Sequence, residues 1–117
     1  MNKYMLTFWS EIQSENEFAE LSPEAIQAEI EKWNQWIGGI AAQGKLISTD
    51  ALLPTGKVIS GSKNVVTDGP FTEGKEIIGG FTLLTADSIE EAIELSKGCP
   101  IYETEGRVEV RQVQVFE

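Results

Sequence analysis

The sequence predicts an α+β fold of the ferredoxin-like type: β-α-β, a hairpin, then β-α-β, with two helices on one face of a largely antiparallel sheet. Three observations predict it. Two stretches combine a helix start signal with helical apolar spacing, one opening at Ser22-Pro23-Glu24 and one at Asp87-Ser88. Runs rich in β-branched and aromatic residues flank each of them. Between the two halves, Gly61-Ser62 separates two short extended runs, as a hairpin turn does.

Lys3 to Trp9, rich in Tyr, Leu, Thr, Phe and Trp, reads as the first strand. Ser10 to Leu21 is polar and acidic and reads as a loop. Ser22 then supplies an N-cap, Pro23 the first helical position and Glu24 an acid in the first turn. Ile26, Ile30, Trp33, Ile37 and Ile40 recur at steps of four and three, which places them on one helical stripe. Trp36 lies off its centre, either widening the buried face or serving an interface, and Gly44 is the C-terminal stop. Lys45 to Leu53 is a second strand, closed by Pro54. Thr55 to Ser60 and Lys63 to Thr67 form the hairpin. Glu76 to Thr85 is the next strand, with Gly79-Gly80 marking a bulge or a close backbone approach. Either Asp87 or Ser88 can cap the second helix, since Glu90 and Glu91 stand three residues on. Its buried stripe is Ile89, Ala92, Ile93 and Ser96, with Leu95 beside it, and Gly98 and Pro100 end it. Gly106 to Phe116 is the last strand. Val108 and Val110 alternate out of phase with Val113 and Val115, which predicts a β-bulge near Arg111-Gln112.

The 117 residues suit one domain, residues 1–117. A net charge of −10 argues against nucleic acid and against anionic membrane surfaces. No apolar run approaches the roughly 20 residues of a membrane helix, and the first ten residues read as a strand rather than a signal peptide, so a cytoplasmic location is expected. Between Glu11 and Glu31 there are seven Glu and no Lys or Arg, which reads as a solvated helix face with its leading loop; a docking surface for a basic partner is the sharper alternative. The lone Cys99 permits no intrachain disulfide and reads as a small buried filler. With no histidine in the chain, a Ser-His-Asp triad is impossible and a Cys/His zinc set cannot form; no D-x-D-x-D-G loop is present either. Gly56 and Gly61 have the spacing of a phosphate loop, but Ser62-Lys63 follows and the segment is a hairpin. No metal and no cofactor are expected.

Two helices cover only one face of such a sheet. Ile77 to Leu84 is almost wholly apolar, which favours burial on both faces and predicts a homodimer packed sheet to sheet. The alternative is a pocket on that face, shielded by the hairpin. The segment Asp68-Gly69-Pro70-Phe71 has two readings. Asp68 braces a turn through its own backbone, or it is an acid held over a cavity, with Phe71 tucked inward as anchor and Glu73 and Lys75 beside it.

D-G-P-F, then T-E-G-K-E, G-G-F-T-L-L-T-A-D-S and the closing V-E-V-R resemble the DGPF branch of the YCII-related family, and the opening K-Y-M-L extends the resemblance over most of the chain. The resemblance implies a dimeric α/β-barrel. It also implies a histidine-aspartate pair in a cleft: the aspartate falls on Asp68, while the histidine has no counterpart here. A third implication is association with extracytoplasmic-function sigma factor systems. Two functions follow as expectations. The first is a homodimeric small-molecule-binding protein, with Asp68 as candidate general acid-base and Tyr4, Phe8, Phe71, Glu73, Lys75 and Phe81 as candidate binding residues. The alternative is a non-enzymatic regulatory or interaction protein.

Overall fold

The computed structural model describes residues 1–11, 20–72 and 74–116. Its elements are β1 (Asn2–Glu11), α1 (Pro23–Ala42), β2 (Leu46–Ala51), β3 (Gly56–Ser60), β4 (Val65–Gly69), β5 (Glu76–Ala86), α2 (Ile89–Ser96), a 3-10 turn at Pro100–Glu103, and β6 (Arg107–Gln112). Four strands form one sheet in the order β2-β5-β1-β6, every neighbouring pair antiparallel. Without the β3–β4 hairpin, this is the expected ferredoxin-like order and connectivity.

Local chemistry explains the helix ends. The Ser22 hydroxyl accepts a hydrogen bond from the Ala25 N–H at 3.2 Å, and Pro23 occupies the first turn, where its missing donor costs nothing. Gly44, at φ +71°, adopts the left-handed conformation that ends α1. Of the two candidate caps on α2, Ser88 takes the role, its Oγ accepting from the Glu91 N–H at 3.2 Å.

Alternation along the central strands separates the two faces of the sheet. Tyr4, Leu6 and Phe8 point toward the helices, and their β5 partners Leu84, Thr82 and Gly80 point the same way. Tyr4, Leu6, Phe8, Ile40, Leu84, Ala86, Ala92, Cys99 and Ile101 form the core, with Trp33 and Trp36 packed against it. Phe8, Trp33 and Trp36 meet edge to face at centroid distances of 5.2–5.8 Å. The Trp36 indole N–H donates to the Leu95 carbonyl at 2.9 Å, so Trp36 widens the buried face and ties α1 to α2.

The glycine pair in β5 does make a register shift: Phe8 opposes Gly80 and Trp9 opposes Ile78, leaving Gly79 over. At Gly80 an added Cβ would lie 2.7 Å from the Asp50 carbonyl oxygen, so the close approach is also present.

Several expectations need correction. No bulge forms at Arg111-Gln112. The β1–β6 register runs unbroken from Trp9/Arg107 to Tyr4/Gln112, and the Val113 N–H donates to the Lys3 carbonyl at 2.8 Å just past the strand's end, so the ladder continues there with no extra residue. Ile30, Ile89 and Ile93 lie more than one-third exposed, because the helices contact the sheet along a narrower stripe than their apolar spacing suggested. Pro100 starts the 3-10 turn as well as ending the preceding helix. The hairpin turn spans Gly61 to Asn64, both at positive φ, rather than the Gly-Ser pair alone. The acidic segment expected as a loop falls largely in residues 12–19, outside the described residues.

Candidate functional site

The sheet face turned away from the helices carries the odd-numbered residues of β1 and their partners. Met5, Thr7 and Trp9 stand beside Leu83, Phe81 and Ile78 of β5, and beside Arg111, Glu109 and Arg107 of β6. On the other side, Ser48 and Asp50 of β2 pair with Leu83 and Phe81. The centre of the face is therefore apolar and both edges are polar. Met5, Thr7, Trp9, Phe81 and Leu83 are half-buried by their neighbours in the sheet alone.

One end of this face holds a cleft of about 450 Å³ lined by Trp9, Arg107, Val108 and Glu109. The register builds it: Trp9 and Arg107 are directly paired across the β1–β6 ladder. The Arg107 guanidinium lies 5.9 Å from the Trp9 ring centroid, within cation-π range, and its Nε is 2.9 Å from Glu76 Oε2. The Trp9 indole N–H donates to the Thr7 hydroxyl at 3.3 Å, which orients the ring. The Arg107 side chain is 63% exposed, so it stands at the cleft as a solvent-reached guanidinium with a carboxylate on one side and an aromatic face on the other. The cleft is half open to solvent and offers an aromatic face beside a guanidinium.

The residues singled out from the sequence do not converge. Tyr4 and Phe8 are buried on the helix side, in the core. Phe81 lies on the opposite, open face. Asp68 lies on β4 in the hairpin, its side chain 90% exposed and ion-paired with Lys57 directly across the β3–β4 ladder. Phe71, expected to tuck inward, is 71% exposed. The hairpin makes too little contact with the sheet to offer that ring a pocket of its own chain. The Gly69–Pro70 peptide that precedes it is cis. Lys75 is exposed in the turn before β5, and Glu73 is outside the described residues. Trp9, Arg107 and Glu109 escaped the sequence reading as site residues. The signal was there in strand parity: once Phe8 is assigned to the core, Trp9 must face the other way.

Cys99 is buried, and burial pushes its thiol up to about 12, with a hydrogen bond to the Ile101 backbone opposing the shift. It is a packing residue, as its place in the core indicates. Among the described residues no group of three or more His, Cys, Asp or Glu is placed to hold a metal ion, and no helix is long and apolar enough to cross a membrane.

In comparison with known proteins, the model of the YCII-related domain matches residues 5–117. No curated protein matches the chain significantly.

Proposed function

The chain belongs to the YCII-related domain family, and from that premise we propose that it is a homodimeric small-molecule-binding protein, one domain of this type, whose ligand sits against the open sheet face. The single observation that carries this reading is the half-apolar face with the Trp9–Arg107 cleft at its end. A sheet with helices on one side leaves its other side to solvent, ligand or partner. Here the central pairs, Met5–Leu83 and Thr7–Phe81, give that side an apolar middle that a second copy can cover. In a two-fold dimer the same patch meets itself, so the cleft of each copy opens at the rim of the joint.

In this reading Arg107 binds the polar edge of the ligand and Trp9 packs on its flat part. Asp68, the candidate acid-base, is exposed in the single chain and ion-paired with Lys57. It joins the chemistry only where another surface covers the hairpin.

Nuclear magnetic resonance titration with single-ring probes (benzoate, phenol and indole) tests the binding role. The Trp9 indole N–H should shift with at least one probe, and Arg107→Ala should abolish the shift with the fold unchanged. Probes that move only core resonances, or none, would contradict it. If Asp68 acts on the ligand, Asp68→Asn should leave affinity for the probe unchanged and abolish turnover of any substrate found.

A further inference from the structure

The β3–β4 hairpin is an arm. It forms a two-stranded sheet of its own and makes little contact with the four-stranded sheet or the helices. The radius of gyration is 15.7 Å, against roughly 13 Å for a compact chain of this length. An isolated two-stranded hairpin is marginally stable in water, so a projecting one is normally packed on something.

The arm carries apolar surface with nothing of its own chain on it. Ile59 and Val66 are directly opposite one another across the ladder, 67% and 60% exposed, on the face that also bears the Lys57–Asp68 ion pair. Leu52 and Leu53 at its root and Phe71 where it rejoins the body are exposed as well. Its charge differs from that of the body. Between Gly56 and Gly69 there are two lysines and one aspartate, a net positive segment in a chain of net charge −10. Lys57 is paired with Asp68, which leaves Lys63 as the arm's unbalanced charge, and a second copy of this chain, acidic over the rest of its length, is a surface that complements it.

We propose that the arm of each copy lies on the other copy and closes the dimer. This rests on the homodimeric reading above and adds the element that holds it together. Area supports the assignment. Four strands about 4.8 Å apart, paired over about six residues, make a face of roughly 400 Å² in projection. A stable interface buries about 800 Å² per partner. Two reciprocal arms, each with an apolar Ile59–Val66 face, add contact area to what the sheet face supplies. Topology puts the arm at the right end of the sheet. It leaves β2 after Ala51 and returns to β5 at Glu76, which pairs with Glu11, two residues beyond Trp9 on β1. The arm thus springs from the sheet end that holds the cleft, so an arm reaching onto the other copy extends the joint at the level of the two clefts.

Sedimentation equilibrium of the full chain, the double variant Ile59→Lys/Val66→Lys and the milder Ile59→Thr/Val66→Thr is the test. Threonine keeps the β-branched shape, so the second variant guards against a collapsed hairpin. The expected result is a wild-type dimer, a dissociation constant at least tenfold weaker for the lysine pair, and a smaller weakening in the same direction for the threonine pair. A wild-type dimer whose dissociation constant moves less than threefold in both variants would overturn the arm assignment and leave the dimer standing. A wild-type monomer at every concentration would overturn the dimer and the arm together.

Discussion

At Gly80 the β5 backbone runs so close to β2 that the position has no room for a side chain. Gly80→Ala would bring a Cβ to 2.7 Å from the Asp50 carbonyl oxygen, a contact that only a shift of one backbone can relieve. The expected cost is about 1–3 kcal/mol, read from urea denaturation. Cys99 gives a residue-scale prediction of another kind. Burial raises its thiol from 9.0 to about 12. Between those values the unfolded chain has lost the thiol proton while the folded chain keeps it, so the folded state binds more protons and stability falls with rising pH. The contribution is complete below about pH 9 and is lost as pH rises toward 12. Denaturation from pH 8 to 10.5 should therefore show a decline that Cys99→Ala lessens. An equally steep decline in the variant would contradict the assignment.

At the scale of elements, Trp36 joins α1, α2 and the sheet. Trp36 edges against Phe8 and Trp33 and donates to the Leu95 carbonyl. Trp36→Phe keeps an aromatic ring and removes the donor, so the expected loss is about 1–3 kcal/mol, from the hydrogen bond and the acceptor left unpaired. Trp36→Ala should cost about 3–5 kcal/mol. Both are checked by thermal and urea unfolding. The helices and strands themselves were legible in the sequence because each is written in local chemistry: Ser22-Pro23 and Ser88 as caps, alternation in β1, and the glycine pair in β5. The last strand was overextended for the same reason. Valines continue past Gln112 in the sequence, but the ladder to β1 ends with Tyr4/Gln112 and the bond from the Val113 N–H to the Lys3 carbonyl, and where pairing stops is not written in the strand's own residues. The candidate site was less legible. Asp68 lies near the end of β4 and Phe71 just beyond it, where the Gly-Pro pair between them invites the reading of a turn, and only the tertiary position of the hairpin shows that both are exposed. Trp9 and Arg107 are far apart in sequence and become neighbours through one ladder.

For the whole molecule, the sheet divides a buried core from an open face, and the proposed ligand and dimer contacts both fall on the open face. Its centre at Met5 and Leu83 is the place where a charge should be least tolerated in an assembly and well tolerated in a monomer. Met5→Glu should therefore weaken self-association by tenfold or more while helix content by circular dichroism stays unchanged. Unfolding of the variant at a concentration where it is monomeric would instead assign Met5 to the core of the single chain. The mass of gently purified protein under native conditions reads the dimer and its ligand together. The expected species is twice the 12.9 kDa chain with additional, releasable mass from a small molecule. A monomer, or a dimer that carries no ligand and takes up none of the single-ring probes, would contradict the account.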